Sequence, residues 1–450
     1  MTGTDGGLSA GTEREIERFL DDWLVAEDIP SVSVAVFDTD DILYATGLGA
    51  RDLEASAPAT ADTRYHIGSI TKTLTAIAVL QLVEENELAL DDEIQGYVPY
   101  LRDVPGDPIT IQELLTHSSG MPDDWVTARE NIADRDDLRL HINGAAGQRV
   151  TENPPIMYTN AGFKILGELV AAVDGRAYTD YVTEEILAPL KMDGATFDQA
   201  TLFEGEDVLT GYQQDDDDLV PTEHLLEFES QPADGGLLAS VTNLTRLLRC
   251  LLQDGELDGT RLLAPDTVAT MASQHARLET TLDDDDRWYG YGLLTGEFLG
   301  DRFVGHPGGV SHSMAWVGGL TQRGRGAALA VNTSGVRSRD YGRGVLALAA
   351  GEDPIETVPG LALREKLDAV AGTYEAYRGA TATVEPRDGH LVLRWEQADD
   401  PVSAFPESAA PDDHSFYLLK GDARRDPLEF RKTGDGMMML LSNRLRLERT

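Results

Sequence analysis

A chain of 450 residues is longer than one ordinary hydrophobic core serves, so two or more domains are expected. Its 41% hydrophobic and 26% charged residues describe a globular chain, and 79 acidic against 37 basic residues leave a formal net charge of -42. A surface that negative repels phosphates, which argues against nucleic acid and anionic membranes as partners.

The cations are skewed as well. Lysine occurs only at Lys72, Lys164, Lys191, Lys366, Lys420 and Lys432; the other 31 basic residues are arginine. Acidity with little lysine suits a protein working in molar salt, where screening shortens self-repulsion to a few ångströms. Cys250 is the only cysteine, which excludes an intramolecular disulfide and a cysteine zinc cluster. The segment "MTGTDGGLSAGTEREIERFL" lacks the basic-then-apolar order of a signal peptide, and no apolar run is long enough to span a bilayer. A soluble, cytoplasmic protein with no metal and no cofactor is expected.

In chain order, Ile16, Phe19, Leu20, Trp23 and Leu24 predict an amphipathic helix from about Glu13. "SVSVAVFD" and "DILYATGLGA" predict two strands joined by a polar turn. The stretch "YHIGSITKTLTAIAVLQLVEENEL" from Tyr65 predicts a helix apolar nearly all round, hence buried. A mainly helical region follows from about Asp91 to Asp193, and another helix, "TNLTRLLRCLLQDGEL", starts near Thr242. The acid runs at Asp215–Asp218 and Asp283–Asp286 read as solvated loops. "FVGHPGGVSHSMAWVGGLTQRGRGAALAVNTSG" predicts three short strands with tight turns.

Strands at both ends of residues 1–350 with helices between predict an α+β fold, an antiparallel sheet gathering distant segments. "GEDPIETVPG", within residues 351–361, reads as a linker. In 362–450, seven strand-like runs, "GTYEAYRG", "ATATVEP", "HLVLRWE", "SFYLLKG", "LEFRKTG", "GMMMLLS" and "RLRLERT", predict a separate antiparallel barrel or half-barrel.

The chemistry concentrates at Ser69 and Lys72. Taken blandly, the serine caps a helix and the lysine reaches for water. But a lysine in the first turn opposes the macrodipole, and burial adds a desolvation cost; both lower its pKa, as a general base requires. At i and i+3 the amine can reach the hydroxyl and take its proton, while the serine N–H at the helix start faces an incoming oxyanion. Two further pieces join them. Tyr158-Thr159-Asn160 reads either as a packed ring followed by a helix cap or as a phenol and an amide presented on one loop. His306-Pro307-Gly308-Gly309 reads either as a turn with a surface histidine or as a cleft strand permitting close backbone approach. His66, His117 and His312 read as structural, His117 bonding backbone in a turn.

Together these pieces resemble the serine β-lactamase and penicillin-binding-protein superfamily, in its class C-like esterase and peptidase S12 (CubicO) branch. That family orders S-x-x-K, Y-x-N and a [K/H]-x-G triad, here Ser69–Lys72, Tyr158–Asn160 and His306–Gly308. "ITIQELLTHSSGMPD" and "PADGGLLASVTNLTRLL" are similar to recurring family segments, and the C-terminal region resembles a lipocalin-like domain. The resemblance implies that Ser69 is acylated, that Lys72 and Tyr158 shuttle its proton, and that Asn160 contacts the substrate amide. It further implies an oxyanion hole of Ser69 and Gly309 N–H groups, with His306 and Gly308 at the substrate's anionic end. A histidine and a proline in place of the usual Lys-Thr weaken carboxylate recognition. The expectation is therefore a peptidase or esterase on small peptidyl or acyl substrates with weak or no β-lactamase activity. The alternative is a ligand-binding pseudoenzyme or acyl sensor of the same fold. The C-terminal domain is a candidate for homo-oligomer contacts.

Overall fold

The computed structural model describes residues 7–123, 135–198, 207–215, 218–222, 232–278, 287–398, 400–419, 424–434, 436–442 and 444–450, with only the backbone of 135–137. The chain divides into two compact units between Gly351 and Glu352.

In the first unit, helix α1 spans Ala10–Ala26, three residues ahead of the predicted start. The reason is local: the Ser9 side chain accepts from the Thr12 N–H and caps the helix there. Strands β1 (Ser31–Asp38) and β2 (Ile42–Asp52) fall where their sequence placed them. Every β1 residue from Ser31 to Phe37 is buried, so both faces of the sheet are covered at this strand. The later strands are β3 (Leu294–Phe298), β4 (Asp301–Val310), β5 (Ser313–Leu320) and β6 (Arg325–Val331). In space the order is β3-β4-β5-β6-β1-β2, all antiparallel, with Trp288–Tyr289 and Ala276–Arg277 beyond β3 and Ala57–Pro58 beyond β2. The pairing of β1 with β6, Val32 opposite Val331, closes about three hundred residues of chain into one nine-stranded sheet.

Helices α4 (Val241–Leu252) and α5 (Ser338–Ala350) pack on the sheet, together with α1. Trp23 of α1 stacks on Tyr341 of α5 with ring centroids 4.0 Å apart, and Trp316 of β5 fills the space over Gly342. Ser240 and Asn243 form a capping box that starts α4. It stops at Leu252, short of the predicted stretch, because Asp254 and Gly255 both adopt positive φ and turn the chain back. The helical region contains α2 (Thr71–Glu84), α3 (Asn160–Asp174) and the helices Ile111–Leu115, Arg135–Gly147 and Tyr178–Val182. As its all-round apolar sequence requires, α2 is buried from Thr71 to Leu80. Asp215 and Asp218 end and begin the two strands of a small hairpin; the run at 283–286 lies outside the described residues.

The second unit corrects two expectations. Residues 354–357 and 359–361 are helical inside the segment expected to be a linker, and the second helix runs on to Val370, into the segment expected to be strands. Asp353 caps Pro354–Thr357, and Pro359 opens α6 (Pro359–Val370), each proline sitting in the first turn where its missing N–H costs nothing. The strands number eight rather than seven: β7 (Gly372–Ala376), β8 (Thr381–Arg387), β9 (His390–Trp395), β10 (Val402–Pro406), β11 (Ser415–Leu419), β12 (Arg425–Thr433), β13 (Gly436–Leu441) and β14 (Leu445–Arg449). The missed strand is β10, five residues ending on Pro406, whose proline disguises it as a loop. The eight close into a barrel, β7 pairing with β14 through Tyr374 and Arg449. Alternate residues such as Val384, Leu391, Leu393, Phe416 and Phe430 fill its interior, joined by Leu363, Leu367 and Val370 of α6.

Among the described residues no helix is long and apolar enough to cross a membrane.

Candidate active site

Ser69 sits in the short 3-10 turn Gly68–Ile70 that leads into α2. Gly68 has φ +51, a left-handed conformation that a β-carbon would strain. A β-carbon there would also lie 2.5 Å from the Gly309 nitrogen, so the turn and β4 approach backbone to backbone. Gly308 meets the same constraint from the other side, its Cα facing the Ile67 carbonyl. Pairing with β3 reaches Gly305, the partner of Leu294; past that residue β4 is bonded to β5 alone, through Val310 opposite Ser313. His306–Val310 therefore forms a strand with one open edge beside the Ser69 turn, the second of the two readings its glycines left open.

Lys72 is buried, one helical turn after Ser69, with Nζ 2.9 Å from Ser69 Oγ. Nζ also donates to Asn160 Oδ1 at 2.7 Å and to the backbone carbonyl of Asp234 at 2.8 Å. Three acceptors match the three protons of an ammonium. When the amine is neutral, the two oxygens that cannot donate keep its two N–H bonds, and the lone pair is left pointing at the Ser69 hydroxyl. Burial lowers the Lys72 pKa to about 8, against the opposing pull of the Asp234 and Asp123 carboxylates. The sequence argument placed both the lysine and the direction of its shift; it did not foresee the two oxygens that aim it.

Tyr158 brings its ring within 5.0 Å of Lys72 Nζ, and the Ser69 side chain pulls the phenol's pKa down against the larger effect of burial. The residue is 38% exposed, while the surroundings of its phenol are desolvated enough to raise the pKa above the ordinary tyrosine value. Tyr158 is thus a neutral phenol that can donate a proton, not a tyrosinate. Thr159, not Asn160, is the cap residue of α3, and Asn160 is its first helical residue. Asn160 Oδ1 accepts from Lys72, while Nδ2 and the backbone N–H each donate to Asp123 at 3.0 Å. These bonds fix the amide so that its oxygen orients the base.

His306 has a partner inside the protein on each ring nitrogen. It is buried; Nδ1 lies 2.5 Å from the Pro307 carbonyl, and Nε2 lies 3.0 Å from the Tyr289 hydroxyl. Nδ1 donates and Nε2 accepts, which is the neutral tautomer, and burial pushes its pKa down to about 3. It is neither a cation nor a free donor, because the protein uses both ring nitrogens.

His117 is structural, as expected, but its bonds frame the site. Its carbonyl accepts from the Met157 N–H at 3.0 Å and its Nδ1 from the Thr159 N–H at 3.1 Å, so one residue holds the peptides on both sides of Tyr158. Its ring lies against Tyr158 and Tyr289, with centroids 4.3 and 4.6 Å away. Burial drives its pKa well below the ordinary histidine value, so the ring is neutral and Nδ1 stays an acceptor. His66 and His312 pack edge to face, centroids 5.1 Å apart.

Asp123, Asp234 and Tyr289 were not singled out from sequence. The two aspartates lie in the segments "THSSGMPD" and "PADGG", but no spacing rule links them to Lys72. Among the described residues no group of three or more His, Cys, Asp and Glu side chains is placed to hold a metal.

With this geometry in hand, comparison with known proteins is specific. The family model described as Beta-lactamase matches residues 13–351, and that of the Pab87 octamerisation domain matches residues 354–448. Protein flp of Staphylococcus aureus is 27% identical over 212 residues, covering 46% of this chain and 42% of its own length. The chain thus spans about two fifths of those relatives. Penicillin-binding protein 4 of Amycolatopsis lactamdurans is 28% identical over 366 residues, 78% of this chain and 94% of its own. Among solved structures, the octameric penicillin-binding protein homologue from Pyrococcus abyssi superposes with a TM-score of 0.88 at 28% identity, covering 97% of this chain and all of that one. The class C beta lactamase of Rhodobacter sphaeroides shares the fold, with a TM-score of 0.62 at 20% identity over 75% of this chain and 98% of its own.

Proposed function

The chain belongs to the beta-lactamase family over residues 13–351, and from that premise we propose that it is a serine hydrolase acting through an acyl-enzyme on Ser69. The observation that carries the reading is the buried Lys72 amine 2.9 Å from Ser69 Oγ, with its pKa lowered to about 8. As the free amine, Lys72 takes the Ser69 proton while Oγ attacks the substrate carbonyl carbon. Negative charge develops on the carbonyl oxygen, where the Ser69 and Gly309 N–H groups would receive it. Collapse expels the leaving group, protonated by the Tyr158 phenol, which regains its proton from Lys72. Water then attacks the ester under the same base, and Ser69 leaves as the alcohol.

The substrate class is read from His306. His306 is neutral and doubly bonded inside the protein, so it offers no positive charge to a substrate carboxylate. This favours small esters or peptides whose bound portion is uncharged at that point, and disfavours β-lactams. The octamerisation-domain match over residues 354–448 and the octameric relative from Pyrococcus abyssi support a homo-oligomer built with the C-terminal barrel. We place the protein in the cytoplasm, at high salt, without nucleic acid or membrane as partner.

The test is intact-mass spectrometry in high KCl after incubation with a fluorophosphonate and, separately, a penicillin. An adduct with the first that disappears in Ser69→Ala is the expected result, with little or no penicillin adduct. Absence of any adduct on folded protein would replace hydrolysis by ligand binding, and fast penicillin acylation would overturn the assignment of His306.

A further inference from the structure

Within the second unit, the eight strands run up and down in sequence order, so alternate connections gather at opposite ends of the barrel. One end carries the β8–β9, β10–β11 and β12–β13 connections and the entry to β7. Helix α6 covers it: Leu363 reaches Gly389 between β8 and β9, and Lys366 Nζ donates to the Ser408 carbonyl between β10 and β11. The other end carries the β7–β8, β9–β10, β11–β12 and β13–β14 connections.

All four large hydrophobic residues exposed on the described part of the barrel lie at that second end. Tyr377 is in the β7–β8 connection and is 94% exposed; Val402 begins β10, Leu419 ends β11 and Leu445 begins β14. Single exposed apolar residues are common and need no explanation, but confinement of all four to one end does. A recess of about 490 Å³ adjoins Tyr377, lined by Glu375, Arg446, Glu448 and Arg449. Charge separates the ends too. Among the described residues, the connections of the helix-covered end carry Asp388, Glu407, Asp412 and Asp413 and no lysine or arginine. Those of the second end carry Arg378, Arg424 and Arg444 against the acids Glu396 and Asp400.

Resting on the oligomer reading above, we propose that this second, electrically balanced end of the barrel is the surface on which another copy of the chain docks, with Tyr377 as its central anchor. Two chains of net charge -42 repel wherever acidic faces meet, so a copy-to-copy contact belongs where apolar surface coincides with local neutrality. The octamerisation-domain match reaches into all eight strands, and among the described residues this end is where the barrel exposes its large apolar side chains. Exposed tyrosine beside a recess is the kind of residue on which interface energy concentrates.

The experiment is analytical ultracentrifugation of the full chain in molar KCl over a range of concentrations. It compares wild type, Tyr377→Asp, Leu419→Ser/Leu445→Ser and, at the opposite end, Ala410→Asp. Wild type and Ala410→Asp should assemble alike. The variants at the second end should need at least about thirtyfold more protein to assemble, as loss of an interface hot spot implies. Their circular dichroism and fluorophosphonate labelling should be unchanged. If those variants assemble as wild type does, the surface is wrong. If wild type stays a single chain throughout, the oligomer reading itself falls. Hydrogen exchange on wild type covers the case in which a variant misfolds: amides of the 376–381 and 442–446 connections should gain protection as concentration rises, and unchanged exchange there in assembled protein would also overturn the proposal.

Discussion

Raising the pH from 7 to 9 is expected to speed labelling of Ser69 by a fluorophosphonate about tenfold, along a single limb with its midpoint near 8. The magnitude follows from Lys72, whose pKa burial lowers to about 8. The base is the neutral amine, about 9% of the population at pH 7, half at pH 8 and about 91% at pH 9. The histidine and tyrosine rings around it supply no competing limb in that range. His306 is held down at about 3 and His117 well below 6.5, so both are already neutral, and Tyr158 and Tyr289 are shifted upward. Substituting Lys72→Arg keeps a cation but removes a group that can lose its proton, so the limb should vanish and the rate fall by about 10²–10⁴. The assay is the rate of adduct formation by intact mass across pH 6 to 10 at constant high salt. A midpoint near the ordinary histidine value, or a limb that survives in Lys72→Arg, would refute the assignment of Lys72 as base.

Three other outcomes are expected. His117→Asn, which offers an amide oxygen where Nδ1 accepts, should stay within a few-fold of wild type, whereas His117→Leu should lower the acylation rate by about 10–100-fold through displacement of Tyr158. Its pH limb should keep its midpoint; a moved midpoint would mean that His117 acts on the proton itself. Tyr289→Phe strips the hydroxyl from a buried His306 Nε2 and should destabilise the fold by about 1–3 kcal/mol in denaturant titrations. An unchanged midpoint of unfolding would show that this hydrogen bond does not matter. Finally, with a net charge of -42, thermal stability should rise from dilute buffer to molar KCl as self-repulsion is screened; a melting temperature indifferent to salt would refute the reading of the acidity as an adaptation to solvent.

Much of this protein could be read locally. β1 falls where alternation and β-branched residues placed it, and α2 is buried from Thr71 to Leu80, as its nearly all-round apolar sequence requires. Ser69 and Lys72 meet because three residues make nearly one turn of helix, a distance that sequence spacing sets by itself. Composition likewise foretold the change of texture after Gly351. Local signals erred where proline sat at an element's edge: at Pro354 and Pro359 it begins helices that read as linker, and at Pro406 it ends a strand that read as loop.

What only the tertiary structure decided is how the catalytic pair is aimed. Asn160 and Asp234 reach Lys72 from segments 88 and 162 residues away, with Asp123 holding Asn160, and nothing in their spacing reports that convergence. His306 could be read from sequence as a weak carboxylate partner; its burial against Tyr289 is what makes it a bonded, neutral acceptor. His117 looked like a turn residue, and it is one, but the peptides it holds are those flanking Tyr158. The physical reason is common to all three. Helix and strand periods are set between near neighbours in the chain, whereas desolvation and hydrogen-bond partnership depend on which distant segments the packed core brings together.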